Sequence, residues 1–385
     1  MDFGLDDALS SLQQAARRFS DEQIAPIAAA HDASGQFPRD VLRMAWELGL
    51  SHTFIPESLG GIGLSSVAAC VVIEELSRGC SGITTSILSN DLGLTPLLVG
   101  GSPDQQREWL APCTQDFKIL AFALSEPGAG SDVAGLQLHA EKVGNDYVLN
   151  GTKAWITNGG EADLFTVFAT LDRSAGRSIR DRHRGICAFV MPKDTPGFSA
   201  GKKEDKMGQR ASDTRVLHFD DVRIPASQRL GTEGEGFKIA MATLDRTRPL
   251  IGALATGIAR RALEESLAYA AERKAFGQPI GEFQAIQFML ADMAKDIEAG
   301  RLLTYQSAWM IDQGRRASKQ SSMAKCFSTD AAMKATTDAV QIFGGNGYTK
   351  EYPVEKLMRD AKLMQIYEGT NQIQRVVIAR ELMKG

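Results

Sequence analysis

The chain has 385 residues, 43% of them hydrophobic, and a formal net charge of −4. This length exceeds one ordinary domain, and the absence of excess basic charge argues against binding to nucleic acid or an anionic membrane surface. No apolar run reaches the roughly 18 residues of a membrane span, and the acidic start MDFGLDDALS is unlike a basic presequence. We therefore expect a bacterial cytoplasmic protein, or a mitochondrial matrix protein whose presequence has been removed.

The first part of the chain is predicted to be helical. Apolar residues recur every three or four positions near the start, which predicts an amphipathic helix that Pro26 disturbs. The segments VLRMAWELGL (41–50) and SVAACVVIEELSRG (66–79) have the same period. The segment SILSNDLGLTPLLVG (86–100) predicts another helix, ending near Pro96. Residues 1–118 are therefore expected to form an α-helical domain.

The pattern changes to strands after residue 118 and back to helices after residue 230. Short segments rich in β-branched and aromatic residues predict a β domain over 119–230. These segments are KILAFALSE, YVLNGTKAWIT, LFTVFAT, ICAFVM and RVLHFDDVRI. Helical periodicity returns after GTEGEGF and predicts an antiparallel bundle over 231–385. The predicted fold class is α+β, with helices, then a β domain, then helices.

Several common kinds of site are not supported by the sequence. The glycine-rich pieces match neither a phosphate loop nor a dinucleotide-binding fingerprint. The five histidines are far apart, so no metal centre is expected. No G-x-S-x-G element is present, so a serine hydrolase is not supported either.

Five motifs in order carry a resemblance that spans nearly the whole chain. They are ALSEPGAGSDVA (123–134), GTKAWITNGG (151–160), ERKAFGQPIGEFQAIQFMLADMA (272–294), DAVQIFGGNGY (338–348) and MQIYEGTNQIQR (364–375). Together they resemble the acyl-CoA dehydrogenase family, most of all its medium- and short-chain members. The resemblance implies an N-terminal α-helical domain, a central β domain and a C-terminal four-helix bundle.

The resemblance also implies FAD as cofactor and a homotetramer built as a dimer of dimers. FAD would lie between the β domain and the bundle, with its adenosine end reaching a neighbouring subunit. The residues expected to contact its flavin ring are Phe122, Leu124, Ser125, Trp155, Thr157, Thr370 and Gln372. The residues expected to reach a partner subunit's FAD are Arg273, Phe276, Gln284, Gln341 and Gly345.

By the same resemblance the substrate is an acyl-CoA thioester, which loses an α proton and a β hydride. Glu368 is the expected base, and an apolar pocket would raise its pKa toward neutrality. Flavin N5 would accept the hydride, and electron-transferring flavoprotein would take the electrons onward. The residues expected to bind the substrate or support its site are Ser131, Asp245, Arg248, Tyr367, Gly369 and Arg380.

Asp91 departs from the resemblance, because ordinary relatives read closer to N-S-L-G at this point of an acyl-pocket helix. One interpretation turns Asp91 outward to water or makes it a cap near Gly93. The other makes it a second acid or base beside a cyclic acyl group, as in cyclohexane- or cyclohexenecarboxyl-CoA, including 1,4-elimination. An acyl-CoA oxidase and a non-catalytic flavin- or CoA-binding assembly protein are further alternatives.

Overall fold

The computed structural model describes residues 4–171 and 181–384. Its N-terminal part is helical, as the apolar periodicity predicts. A π-helical turn and a 3-10 turn separate α1 from α2, at the place where Pro26 interrupts the pattern. The helices are α1 (Asp7–Phe19), α2 (Ala28–Ser34), α3 (Arg39–Glu47), α4 (Ser66–Gly79), α5 (Ser81–Gly100), α6 (Pro103–Trp109) and α7 (Pro112–Gln115).

Helix α5 continues through Pro96 to Gly100, so its predicted end near Pro96 is wrong. A proline inside a helix removes one backbone hydrogen bond and usually kinks or ends the helix. Here nearly every residue from Ser81 to Leu97 is buried, and the Thr95 hydroxyl donates to the carbonyl oxygen of Asp91 at 2.6 Å. The stabilisation from burying the helix on nearly all sides offsets the loss of the backbone hydrogen bond that Pro96 cannot donate.

The central part is one mixed sheet of eight strands among the described residues. Its order is β6-β7-β3-β2-β4-β5-β8, and β1 pairs in parallel with β4. The strands β2, β6 and β8 were not predicted, because they are short or carry charged, exposed side chains. The strands are β1 (Leu120–Ala123), β2 (His139–Val143), β3 (Asp146–Thr157), β4 (Leu164–Thr170), β5 (Ile186–Pro192), β6 (Phe198–Lys203), β7 (Thr214–Pro225) and β8 (Arg229–Leu230).

The C-terminal part is again helical and is built around one long helix, α8. Close approach at two glycines lets neighbouring helices pack against it: a side chain at Gly252 would meet Thr304, and one at Gly257 would meet the carbonyl oxygen of Glu74. A small hairpin of β9 (Lys274–Ala275) and β10 (Gln278–Pro279) follows α8. The helices are α8 (Gly236–Glu272), α9 (Gln284–Asp312), α10 (Ser318–Phe343), α11 (Val354–Met364) and α12 (Asn371–Leu382).

The three parts share a continuous apolar core. Leu94 of α5, Leu120 of β1, Val190 of β5, Leu254 of α8 and Ala335 of α10 belong to the same buried cluster. The order of helices, sheet and helices confirms the predicted α+β fold class. The domain boundaries at 118/119 and 230/231 stay predictions. Among the described residues, no helix combines the length and apolarity that crossing a membrane requires.

Candidate active site

A cavity of about 330 Å³ lies where the three parts of the fold meet. Helix α5 forms one wall and helix α8 another. The end of β1, the loop at 130–134 and strand β3 contribute from the sheet side. The turn between α11 and α12 closes the remaining side. A site at such a junction can hold one ligand against side chains from several rigid elements.

Many of the residues predicted from the sequence line this cavity. From the predicted flavin contacts these are Phe122, Leu124, Ser125, Trp155 and Thr157. From the predicted base and substrate contacts these are Ser131, Arg248, Tyr367, Glu368, Gly369 and Arg380. Segments far apart in sequence therefore meet around one space, as the candidate site requires.

Glu368 is the acidic side chain that the turn between α11 and α12 presents to the cavity. Its backbone is left-handed, with φ of +50°, and the following Gly369 has φ of +89°. The Thr247 hydroxyl on α8 donates to Glu368 Oε2 at 2.9 Å. Burial raises the pKa of Glu368 to about 7, although Thr247, Arg248 and Lys325 oppose the shift. A carboxyl group with this pKa can take up a proton near neutral pH.

Buried donors on α10 and α12 hold the turn. Gln374 Nε2 donates to the carbonyl oxygens of Glu368 and Gly369, at 3.1 and 2.9 Å. Lys325 Nζ on α10 also donates to the Gly369 carbonyl, at 2.8 Å. Burial raises the pKa of the Tyr367 hydroxyl above its usual value, and this hydroxyl lies 3.5 Å from Thr85 Oγ1 on α5.

The sheet side of the cavity contains a large exposed aromatic residue. Trp155 has φ of +62° and lies where the pairing of β3 with β7 shifts register. This irregularity directs the indole away from the regular alternation of the strand, and 63% of the residue stays exposed. The neighbouring Ala154 N–H donates to the Ser125 carbonyl at 2.9 Å and ties β3 to the segment after β1.

A buried ion pair supports the same segment. Lys153 Nζ lies 2.8 Å from Glu126 Oε1 and donates to the Leu124 carbonyl at 2.9 Å. Glu126 also accepts the backbone N–H groups of Gln137 and Leu138, at 2.6 and 2.8 Å. Burial lowers the pKa of Lys153 to about 8, against the stabilising effect of Glu126. Removing either partner would leave a buried charge without compensation.

Asp91 does not belong to the described residues that line the cavity. It is 1% exposed, so the outward-facing alternative is wrong. Its Oδ1 accepts the backbone N–H of Phe54 at 3.1 Å, in the segment between α3 and α4. Burial raises the pKa of Asp91 to about 7, while hydrogen bonds from Phe54 and Thr53 and the charge of Arg246 oppose the shift.

The other predicted residues lie outside the cavity lining. Asp245 pairs with Arg248 Nη1 at 2.5 Å and accepts the Ser318 hydroxyl, so it orients the arginine. The Thr370 hydroxyl caps α12 by accepting the Ile373 N–H at 3.3 Å, and Gln372 is exposed on that helix. The five residues predicted to reach a partner's FAD are all exposed: Arg273, Phe276, Gln284, Gln341 and Gly345.

Three models of one family match the chain. They are the acyl-CoA dehydrogenase N-terminal domain over residues 6–116, the middle domain over 121–222 and the C-terminal domain over 234–383. The chain belongs to the acyl-CoA dehydrogenase family. This assignment confirms the family, the FAD cofactor and the class of FAD-dependent oxidoreductases that the sequence motifs imply.

Individual relatives agree with this assignment over the full length. A probable medium-chain specific acyl-CoA dehydrogenase 2, mitochondrial, of Caenorhabditis briggsae is 44% identical and covers 100% of this chain and 92% of its own. The butyryl-CoA dehydrogenase of Megasphaera elsdenii is 41% identical with a TM-score of 0.95, and all of both chains are covered. A chain from a structure described as the electron transferring flavoprotein of Acidaminococcus fermentans is 43% identical, with a TM-score of 0.96 and all of both chains covered.

The cavity of this acyl-CoA dehydrogenase fits FAD on its own evidence. An indole that is 63% exposed inside a cavity offers the flat apolar face that an isoalloxazine ring can cover. Open backbone lines the same cavity, because a side chain built at Gly130 would meet nothing within 4 Å. Trp155, Thr157, Leu124 and Ser125 are the residues that would hold the flavin at this wall.

The sequence motifs did not identify several residues of the site. Thr85, Leu88, Ser89 and Leu92 line the cavity from α5, but their pattern is that of any buried helix. Thr247 lies between Asp245 and Arg248, which were predicted, and of these three residues it is the one whose side chain hydrogen-bonds the Glu368 carboxyl in the described part of the chain. A signal for it existed, because Thr247 and Ile251 are one helical turn apart, on the side of α8 that faces the cavity.

Proposed function

We propose that this chain removes an α proton and a β hydride from an acyl-CoA thioester to give the enoyl-CoA, with Glu368 as the base. The observation that carries the proposal is the Glu368 carboxyl on the cavity wall, with its pKa near 7 and its hydrogen bond to Thr247. A base with this pKa is ionised in a useful fraction at neutral pH and still accepts a proton well.

The reaction needs one group for the proton and another for the hydride. Oxidation of the β carbon is the chemistry that bound FAD supplies. Glu368 takes the α proton, and its own backbone N–H would polarise the thioester carbonyl as negative charge develops there. The left-handed backbone at Glu368 and Gly369 sets the direction of that N–H.

The acyl group is proposed to be uncharged. The α5 wall consists of Thr85, Leu88, Ser89 and Leu92, and α8 adds Leu244 and Ile251. None of these side chains carries a charge that could compensate a terminal carboxylate, and Arg248, which α8 also contributes to the cavity wall, is already paired with Asp245. A buried charge without a partner is costly. Butanoyl to octanoyl thioesters are therefore preferred over glutaryl-CoA as substrates.

The remaining cavity residues are proposed to hold the CoA part and the thioester. Ser131 is exposed in the loop at 130–134, and Arg380 lies on α12 at the cavity wall. Both can donate hydrogen bonds to a pantetheine chain or to a phosphate. Asp245 contributes indirectly, because its ion pair with Arg248 fixes that side chain beside Glu368. Tyr367 and Gly369 would contact the substrate from the turn, and Thr370 and Gln372 would meet the flavin from the start of α12.

A dehydrogenase is favoured over an oxidase as the electron-transfer type. The relatives named above include dehydrogenases and a chain from an electron transferring flavoprotein structure, which supports electron-transferring flavoprotein as the acceptor. Rapid peroxide formation on turnover without an acceptor protein would instead assign an oxidase. The compartment, bacterial cytoplasm or mitochondrial matrix, stays a prediction.

The alicyclic alternative depends on Asp91. Its carboxylate accepts the Phe54 N–H and is outside the cavity lining, so no contact with an acyl ring supports a second acid or base there. We therefore expect Asp91→Asn to change the rates with butanoyl-, octanoyl-, cyclohexanecarboxyl- and cyclohex-1-enecarboxyl-CoA by similar factors. A selective loss of the two cyclic substrates would restore the alicyclic assignment.

Anaerobic reduction of the flavin by acyl-CoA tests the proposed function directly. Butanoyl- or octanoyl-CoA should bleach the flavin absorbance, whereas glutaryl-CoA should bleach it at least tenfold more slowly. Glu368→Gln, with FAD still bound, should bleach on the order of 10² to 10⁴ times more slowly than wild type with every thioester. A wild-type protein that binds FAD and acyl-CoA but never bleaches would be a non-catalytic assembly protein.

A further inference from the structure

A lysine with no exposed surface lies behind the candidate base. Lys325 of α10 is 0% exposed, and its Nζ donates to the Gly369 carbonyl at 2.8 Å and to Asn371 Oδ1 at 2.9 Å. Within the part of the chain that the structure describes, no carboxylate lies within 4.0 Å of this ammonium. Both of its acceptors are neutral and belong to the segment that carries Glu368.

An ammonium group in such a place is expensive to bury. Burial lowers the pKa of Lys325 to about 7, and the nearby Glu368 carboxylate opposes that shift. The attraction between the two groups also acts on Glu368. The charges of Arg248 and Lys325 oppose the rise in the pKa of Glu368 that burial causes. A methionine or leucine would fill this core position without the cost of removing a charge from water. A lysine at this position therefore indicates that its charge or its hydrogen bonds have a role.

We propose that Lys325 is a positioning residue for the reaction: it fixes the Gly369 carbonyl, and with it the left-handed turn at Glu368, and its charge keeps the Glu368 carboxylate ionised. This inference rests on the proposed role of Glu368 as base. Lys325 does not touch the reacting atoms. It acts through the peptide that follows the base.

The geometry supports the positioning role through the Gly369 carbonyl. That oxygen accepts from two buried donors, Lys325 Nζ and Gln374 Nε2, which approach from α10 and α12. The backbone at Glu368 has φ of +50°, a conformation that a non-glycine residue keeps only when its surroundings hold it. Asn371 extends the support, because its Nδ2 donates to Thr329 Oγ1 at 2.8 Å and to Asp330 Oδ1 at 2.7 Å.

The electrostatic role follows from the groups that face Glu368. Helix α8 contributes Thr247 and Arg248, α10 contributes Lys325, and the turn itself contributes Tyr367. Arg248 is already paired with Asp245, which reduces its effect on Glu368. Lys325 is the cation of this group that has only neutral acceptors. Because burial lowers the pKa of Lys325 to about 7, its charge acts on Glu368 mainly below that pH, where the carboxyl group begins to ionise, and the neutral amine above it can still donate to the Gly369 carbonyl. Without the lysine, the neutral form of Glu368 is favoured and activity requires a higher pH.

Two substitutions separate the charge from the hydrogen bond. Lys325→Gln can still donate to the Gly369 carbonyl but has no charge, whereas Lys325→Met has neither. The rate of anaerobic flavin bleaching by butanoyl-CoA, measured from pH 5.5 to 9.5, should rise with pH in all proteins. In both variants the midpoint should move up by about one pH unit. The bleaching rate on the plateau at high pH should stay near that of wild type for Lys325→Gln. It should be at least tenfold lower for Lys325→Met.

Controls keep this test specific. Lys319→Met removes a charge from the same helix and should leave both midpoint and plateau unchanged, and Lys325→Arg should restore the wild-type midpoint. If the Met variant fails to fold or to retain FAD, the Gln variant still decides the electrostatic role. The inference would be overturned if Lys325→Gln, and Lys325→Met where it folds, bleached with the same pH midpoint as wild type. An active Glu368→Gln protein would instead overturn the proposed base itself.

Discussion

Two carboxyl groups of this chain, Glu368 and Asp91, have pKa values near 7 for the same physical reason, namely burial. Their surroundings differ in what else they offer. Glu368 lies on the wall of a cavity and accepts one side-chain hydroxyl. Asp91 is enclosed by protein and accepts a backbone N–H from a neighbouring segment. A raised pKa alone therefore does not identify a base, whereas a raised pKa beside an accessible cavity marks a candidate base.

We predict that Glu368→Gln keeps FAD and acyl-CoA binding but loses turnover by a factor on the order of 10² to 10⁴, the usual contribution of a general base. Wild-type activity should rise as pH increases through about 7, because Glu368 must be ionised. Steady-state rates against pH and a binding titration with a non-reactive thioether analogue of the substrate check both points. The exposed Glu108→Gln is the matched control. Near-normal turnover of the Glu368 variant would place the base elsewhere.

For Asp91 we predict a pH-dependent effect on stability. The folded protein binds the Asp91 proton up to about pH 7, whereas the unfolded chain releases it near 4, so ionisation of Asp91 lowers stability as pH rises between these values. Asn cannot ionise, and its side-chain oxygen can still accept the Phe54 N–H. Asp91→Asn should therefore gain about 2 to 4 kcal/mol relative to wild type between pH 4.5 and pH 8.

Thermal unfolding of both proteins at the two pH values and equal concentration measures this change. The control is Asp40→Asn, because Asp40 is exposed on α3. If the difference between Asp91→Asn and wild type were the same at both pH values, Asp91 would already be ionised in the folded protein at low pH.

Elements with strong periodicity were predicted well, and weakly patterned ones were not. The predicted segment 66–79 coincides with α4, and YVLNGTKAWIT and LFTVFAT lie in β3 and β4. By contrast HAEKV of β2 and FSAGKK of β6 carry charged or small residues, and pairing with neighbouring strands makes them strands. Local pattern cannot reveal that pairing. The same limit hid Lys325, whose significance comes from its distance to Gly369, 44 residues away.

At the scale of elements, the contact of α5 with β1 sets the width of the cavity. A side chain at Gly93 would come within 2.8 Å of Leu120 Cβ and 3.1 Å of the Ala121 nitrogen. Asn90 on the same helix accepts the Leu120 N–H at 2.9 Å, so the two elements cannot separate freely. Leu92, directly before Gly93, and Phe122, two residues after Leu120, both line the cavity.

We therefore predict that Gly93→Ala destabilises the protein by about 1 to 3 kcal/mol, the usual cost of overpacking a core. It should also lower the FAD content after purification, because β1 moves relative to α5. Gly128→Ala is the control, since a side chain there would meet nothing within 4 Å. Thermal unfolding and the ratio of flavin to protein absorbance check both effects. Equal stability of the two variants would mean that α5 can move relative to β1 without lowering the stability of the protein.

At the scale of the whole molecule, the predicted FAD contacts other than Thr370 and Gln372 divide into two groups. One group lines the cavity with Trp155 and Ser125. The other group is exposed at one end of the helical bundle, where the Tyr269 ring stacks on Phe343 at 4.0 Å and Asn346 donates to the Tyr269 hydroxyl at 2.9 Å. These contacts bring the segments around 273–284 and 341–345 to the same end of the bundle. Phe276 there is 97% exposed.

Covering Phe276 with another molecule would remove almost all of its apolar ring from water, which favours a contact at this end of the bundle. We predict that the protein is a homotetramer, a dimer of dimers, with one FAD per chain, and that this end of the bundle contacts a partner subunit's FAD.

Phe276→Asp should therefore both lower the flavin-to-protein ratio and weaken the tetramer. Leu48→Asp, at an exposed apolar position outside the bundle, should change neither. Light scattering combined with flavin absorbance measures both quantities. A stable monomer that carries a full complement of FAD would contradict the shared site, because all cofactor contacts would then have to come from a single chain.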